Sequence, residues 1–556
     1  DAARRWYLAA AEGEPSGIRR GELWLAAAGQ AERAGDPAEA DRLRVRAVTR
    51  EPAAAAHLVL DPAIRARMRR PALDAARALL AAGRAPDAEP FATAAMESGA
   101  AQGDRVKDAH VLRAEIRAVL GDRAGAEADY AAFLARWPAD PRTAEIVYDR
   151  ARLALRFQDG AAARSRLQNF LARFPGDRRA SAALYLIADS YQDDRGLDPG
   201  HADRAIEVFD RVAREHPGST FADRAYMRAA HLSFALGRVA EAERRYAAYR
   251  GSQSAREARY WRARALERRG DGAAARGTLS GLAAGDDYYA LLSRDRLRGR
   301  PGAVVLDPGT GGPGPASPYR GAGAEVLADP AGRTAAALLA FGEREYAGAE
   351  LERAASRLGG DRARLEAWAI ALAGWGFPGV TLQIGVRLGG ERHPLAYPVG
   401  FATAVDLEAR AHGLDPWYVL ALIRQESLYD ADVVSPADAR GLMQILPATG
   451  REIADSLGWG EFDERDLFDP AVNLHFGARY LEDQLARFDG FWPAVLAAYN
   501  GGPHVVALWW DFPERTQDPE LWVERIPYRE TRDYVKKIAA QRARYRSLHA
   551  PSAASR

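Results

Sequence analysis

The stretch FLARWP, Phe133 to Pro138, returns as FLARFP, Phe170 to Pro175, a shift of 37 residues. A third unit, VFDRVAREHP, ends at Pro217, a further 42 along. Each is preceded by a turn and an alanine-rich helical segment: GDRAGAEADY, DGAAARSRLQ and GHADRAIEVF. A fourth opening, GRVAEAERRY, starts at Gly237. Two helices per unit at this period mark an α-solenoid, in which each pair buries its apolar face only by stacking on the next. An ordinary irregular helical domain is the plainer alternative. The spacing predicts a mainly α fold whose first 298 residues form a repeat wall, and it predicts no chemistry.

Outward from the repeats, the chain changes character twice. Residues 299–324 (GRPGAVVLDPGTGGPGPASPYRGAGA) hold too much Gly and Pro for a helix or strand core and read as a linker. Helical patterning resumes over 325–394, and a second boundary falls near Gly389 to Pro398. From there to 550 the composition shifts: Trp417, Trp459, Trp492, Trp509, Trp510 and Trp522 are six of the chain's twelve tryptophans. The repeat units themselves resemble degenerate tetratricopeptide repeats.

Composition excludes several function classes. The 77 basic and 76 acidic residues nearly cancel, whereas phosphate-backbone binding needs clustered positive charge, so no nucleic-acid partner is expected. Cysteine is absent, which removes disulfides and thiolate metal sites. No apolar run reaches the roughly 18 residues of a membrane span. Ten histidines are scattered without metal-ligand spacing, and there is no calcium loop of EF-hand type, so no metal or cofactor is expected. GTGGPG at Gly309 lacks the Lys-Ser/Thr of a phosphate loop. The sequence opens on Asp1 without a signal peptide; a removed leader and numbering that begins inside a longer chain both account for that.

One helix in the last third ends unusually. Asp415 is a good N-cap and Pro416 a good first helical residue. Val419, Leu420 and Ile423 share a face, and Glu426 continues that row three residues on. A carboxyl group that follows an apolar face toward the core, at the negative end of a helix, is held protonated, as a general acid requires. By itself, a glutamate at a helix end is more often simply solvated.

The text after Glu426 overturns that plainer reading. Gln425 to Gly450, QESLYDADVVSPADARGLMQILPATG, resembles the signature of the soluble lytic transglycosylases: Glu426-Ser427, the aromatic Tyr429, the Ser435-Pro436 loop, Gly441-Leu442-Met443-Gln444, Ile445-Leu446 and Pro447-x-Thr449. Three further blocks follow in the family's order: DLFDPAVNLHFGARYL (Asp466–Leu481), AAYNGGP (Ala497–Pro503) and ERIPYRETRDYVKKI (Glu524–Ile538). The resemblance implies a C-terminal lysozyme-like α domain of goose type over 395–550, seated on a helical superhelix. It also implies cleavage of peptidoglycan glycan strands in the periplasm. Cell-wall synthesis proteins, bound through the repeats, are the further partners it suggests.

Residue roles follow from the same resemblance. Glu426 is the single acid/base, acting on the bond between N-acetylmuramic acid and N-acetylglucosamine. The substrate's acetamido group stabilises the cation, and the muramyl 6-hydroxyl closes a 1,6-anhydro ring. Ser435 assists the acetamido group, Gln444 binds sugar, and Met443 lines the cleft unless it packs in the core. Tyr499 orients Glu426 through its hydroxyl, Asn500 binds backbone or saccharide, and Glu530 borders the groove. Asp430 and Asp432 match no catalytic carboxylate and read as solvated loop residues. Asp438 stands in place of a glycine, tolerable at a left-handed position; Leu446 and Gly501 replace methionine and alanine. A hydrolytic goose-type lysozyme and a catalytically dead repeat scaffold are the competing readings. The first is distinguished by its products, and the second is opposed by the joint presence of Glu426, Gln444, Tyr499 and Glu530.

Overall fold

The repeated FLAR(W/F)P phrase has a physical reading in the computed structural model. The structure describes all residues except 1, 14–16, 69–70, 98–102, 193–198, 307–322, 436 and 551–556; most of the expected linker 299–324, and Pro436, therefore lie outside the described residues. Phe133 and Phe170 end the helices Arg123–Arg136 and Gly160–Arg173 and are fully buried, as is Phe209 in the next unit. At Trp137 and Phe174 the chain leaves the helix, each N–H still bonded to the buried phenylalanine's carbonyl, and the proline that follows cannot extend it. Arg136 and Arg173 lie over those exit rings, at 4.9 and 5.1 Å. Asp122, Asp159 and Asp271 cap the opening helices by accepting an N–H three residues on.

The described chain is helical, and its one β feature is an isolated antiparallel bridge between Arg440 and Ile445. Two compact units emerge. The first holds Asp1–Asp194, Pro199–Tyr226 and Val434–Ala439; the second holds Met227–Val433 and Arg440–Arg556. In the first, helix pairs stack on their sequence neighbours around successive small cores such as Tyr130, Phe133, Ile146 and Leu153, then Val147, Leu167, Phe170 and Ile187.

The second unit begins inside the repeats. Within it, Val326 to Leu395 build a core of their own around Trp368, Leu351, Leu372 and Ile384. Helices Ala255–Arg268 and Tyr288–Leu297 meet the C-terminal region through buried charge. Arg264 donates to Asp518 at 2.7 Å and also to Glu520; Tyr260 and Arg296 reach Glu520 at 2.5 and 3.0 Å. Beside them Glu524, 1% exposed, accepts from Trp261 (3.2 Å), Tyr289 (2.9 Å) and Lys536 (2.6 Å). Removing one side of such a belt leaves the other as uncompensated buried charge.

Candidate active site

The helix Pro416–Glu426 is built as its sequence dictates: Asp415 caps it by accepting the Trp417 N–H at 3.0 Å, and Pro416 opens its first turn. Asp415 is itself buried and receives Arg542 Nε at 2.6 Å, which ties the cap to the C-terminal helix Arg529–His549. Every residue from Pro416 to Arg424 is buried, and Tyr418 stacks on Trp492 at 3.9 Å. Glu426 is the last helical residue, only partly exposed. Burial pushes its carboxyl up to about 7, against the opposing effect of a hydrogen bond from the Tyr534 hydroxyl. Tyr534 and Tyr499 are both held well above the usual tyrosine range, by burial first and then by the Glu426 charge, so both hydroxyls remain donors.

That geometry corrects one expectation. Tyr499 does not donate to Glu426; its hydroxyl goes to the Met443 carbonyl at 2.7 Å, with Tyr480 edge-on to its ring at 5.5 Å. The orienting hydroxyl belongs to Tyr534, in the fourth block of the signature. Spacing gave no warning, because Tyr534 and Tyr499 both sit in matched blocks and only tertiary packing decides which reaches the acid.

For Met443, packing in the core is the alternative observed. Its side chain is fully buried, packed so tightly on Gly477 that a Cβ there would lie 2.3 Å from the sulfur. It contributes through its backbone: the N–H donates to Asn473 Oδ1 at 2.7 Å. Asn473, 0% exposed and part of the matched Asp466–Leu481 block but given no role from the sequence, also donates to the carbonyls of Arg440 (2.9 Å) and Leu467 (2.7 Å). It pins the Gly441–Gln444 turn to the helix Pro470–Arg487. Gly441 has φ 75°, and a side chain there would meet Leu467 O at 2.1 Å. Gln444 sits in the left-handed region at φ 51°, an unusual conformation for a glutamine. Its amide nitrogen donates to the carbonyls of Val433 (3.1 Å) and Gly441 (3.0 Å), which leaves the side-chain oxygen as the group open to a ligand.

The remaining candidates fall in two places. Asn500 accepts from the Thr531 hydroxyl at 2.8 Å, which joins the Tyr-Asn loop to the first turn of the Arg529–His549 helix, where Glu530 is exposed. A Cβ on Gly501 would lie 3.1 Å from that hydroxyl, consistent with glycine in place of alanine. Ser435 lies in Val434–Ala439, which groups with the first unit; its hydroxyl accepts the N–H groups of Ala437 and Ala439 at 3.2 and 3.0 Å, the bonding of a turn residue. Asp438 has φ 65°, as the exchange of glycine for aspartate requires. Asp430 is exposed, and its carboxylate accepts the Asp432 N–H at 2.9 Å.

Two clusters of His and carboxylates occur among the described residues, and neither includes Glu426. In the cluster of His231, Glu257 and Glu524, the two carboxylates already face the Lys536 ammonium, 2.6 Å from Glu524 and 3.7 Å from Glu257.

With a half-buried protonated carboxyl, a tyrosine donor and a pinned Gly-Leu-Met-Gln turn in place, comparison decides the class. Residues 404–519 match the family described as Transglycosylase SLT domain. The chain carries a transglycosylase SLT domain. Residues 115–268, in the repeats, match a family described as Outer membrane lipoprotein. The soluble lytic murein transglycosylases of Salmonella typhimurium and Escherichia coli K12 are each 36% identical, over 162 and 157 residues. Each match takes in 28% of this chain but only 24% of the relative's length. Among solved structures, an inactive mutant of the Pseudomonas aeruginosa lytic transglycosylase Slt aligns with TM-score 0.55 at 23% identity, covering 95% of this chain and 81% of that one. The 70 kDa soluble lytic transglycosylase of Escherichia coli aligns with TM-score 0.56 at 19% identity, covering 95% and 88%. The expected fold class, helical repeats followed by a lysozyme-like α domain, therefore stands. Among the described residues, no helix is long and apolar enough to cross a membrane.

Proposed function

We propose that this chain is a peptidoglycan lytic transglycosylase, cleaving the β-1,4 bond between N-acetylmuramic acid and N-acetylglucosamine and leaving 1,6-anhydromuramyl ends. The observation that carries the reading is Glu426: a carboxyl held protonated to about pH 7 by burial, in contact with a tyrosine donor, inside an SLT domain. Protonated Glu426 gives its proton to the glycosidic oxygen as the bond from that oxygen to C1 breaks. The acetamido oxygen of the same sugar carries the positive charge that develops at C1. Glu426, now a carboxylate that accepts the Tyr534 hydroxyl, removes the proton of the 6-hydroxyl as its oxygen bonds to C1. No water is consumed and no second carboxylate is needed, in contrast to the paired carboxylates of most glycosidases.

In this reading Gln444 and Asn500 contact saccharide, and Glu530 borders the groove. Ser435 assists the acetamido group, while Met443 and Tyr499 hold the turn that carries Gln444. The working organisation is a repeat wall over 1–298, a linker over 299–324, a helical segment over 325–394 and the catalytic domain over 395–550. We place the protein in the periplasm, with glycan strands as substrate and cell-wall synthesis proteins as partners of the repeats. Digestion of purified sacculi followed by mass spectrometry tests this: anhydro-muropeptides, lighter by one water than hydrolytic products, are expected. Products ending mainly in reducing muramic acid would establish the lysozyme-like hydrolase instead, and no release at all would favour the scaffold.

A further inference from the structure

Glu408 and His412 lie one turn apart at the end of the helix Ala402–Ala411, and His475 faces them from the helix Pro470–Arg487. One ligand atom from each falls within 4.8 Å of the other two. Glu408 Oε2 is 2.9 Å from His475 Nδ1 and 3.5 Å from His412 Nε2, and the two imidazole centroids are 5.7 Å apart. Ligands on a tetrahedral zinc, with bonds of about 2.0–2.1 Å, stand about 3.3 Å from one another. The spacings around Glu408 already bracket that value.

The surroundings match what a metal-bound histidine requires. His412 Nδ1 faces Glu482 Oε2 at 2.9 Å, and Arg479 backs Glu482 at 3.4 Å. A carboxylate on the far nitrogen is the partner that fixes the tautomer and orientation of a ligating imidazole. With Nδ1 engaged by Glu482, His412 turns its Nε2 toward the Glu408 carboxylate at 3.5 Å, and a cation can bridge those two atoms. Trp459 packs on His475, centroids 5.9 Å apart, and covers one side. All three residues are partly exposed, so an ion can enter and a water can fill the fourth position.

We propose that Glu408, His412 and His475 form a zinc(II) site, with Glu482 as the orienting carboxylate and solvent as fourth ligand. Two imidazoles and a carboxylate suit zinc rather than magnesium or calcium, which prefer all-oxygen sets. The ion clips the helix that precedes the catalytic one to the helix that carries Asn473, two residues from His475. Glu426 is not among its ligands.

The test uses the full chain, stripped with chelator and titrated with cobalt(II) alone, then with zinc. We expect one equivalent of cobalt with the intense visible absorption of tetrahedral coordination, displaced by one equivalent of zinc, and a higher melting temperature with zinc than with chelator. His475→Ala and Glu408→Gln should abolish that spectrum, and Glu482→Gln should weaken affinity roughly ten- to a hundredfold. His57→Ala, at an exposed histidine in the first unit, should change nothing. The wild-type titration stands without any variant having to fold. Absence of stoichiometric uptake in the wild type would overturn the proposal, as would a tetrahedral spectrum that survives both ligand substitutions.

Discussion

Replacing Glu426 by glutamine should make the protein inactive and more stable at once, and the two effects have one cause. Burial raises the carboxyl from its ordinary 4.5 to about 7, so the folded state binds this proton more tightly than the unfolded state does. A raised folded pKa contributes stability that is fully present below about pH 4.5 and is lost as pH rises through about 7. At pH 8 the wild type therefore carries a cost of about 3 kcal/mol, the free energy of the displacement between those two values. Glutamine keeps the shape and an oxygen for the Tyr534 hydroxyl but has no charge to bury. Urea unfolding, followed by tryptophan fluorescence, should place Glu426→Gln about 3 kcal/mol above wild type at pH 8 and level with it at pH 4. Turnover on sacculi should fall at least about a thousandfold while glycan binding persists, because both proton transfers use this group. Equal stabilities at pH 8, or a gap that does not close toward pH 4, would refute the burial argument.

Tyr534→Phe removes the hydroxyl that favours the Glu426 carboxylate, so the alkaline limb of the pH–rate profile should move upward and activity should fall roughly ten- to a hundredfold; a profile that moves down would contradict the assignment. Tyr499→Phe loses only the bond to Met443 O, and should cost about 1 kcal/mol of stability with a smaller loss of turnover than Tyr534→Phe and no displacement of that limb. Asp430→Asn and Asp432→Asn should each leave turnover within about twofold in kinetics on sacculi, since surface substitutions away from a site change little; parity of either with Glu426→Gln would sink the one-carboxylate mechanism. Gly441→Ala should cost at least about 3 kcal/mol in denaturant titration, combining a left-handed backbone with a clash against Leu467 O.

What the sequence discloses and what it conceals divide along distance in the chain. Caps, exits and left-handed positions are local, so Asp415-Pro416, the paired Phe133 and Phe170 and the glycine-to-aspartate exchange at Asp438 could all be read directly. The apolar row pointed Glu426 inward, but the signature that follows it in the chain is what singled it out. Its hydrogen-bond partner was not legible, since Tyr534 reaches it only after two distant helices pack. The histidines look scattered for the same reason: His412 and His475 share no spacing, only a helix crossing. Met443 and Asn473 exchanged importance because burial, invisible in a motif, decides which side chain meets solvent.

The carboxylates of Glu520 and Glu524 have a consequence for how such chains can be recombined. Their partners, Tyr260, Trp261, Arg264, Tyr289 and Arg296, are contributed by repeat helices, so the helix Pro519–Arg525, at the end of the matched residues, and the last repeats share one set of counter-charges. A C-terminal domain grafted onto a foreign solenoid would keep Lys536 for Glu524 but would arrive without the arginines that meet Asp518 and Glu520, whatever the quality of its own core. Inheritance should therefore treat the end of the wall and the domain as a single cassette. Substitutions at Arg264 or Arg296 should be tolerated only when Asp518 or Glu520 changes with them.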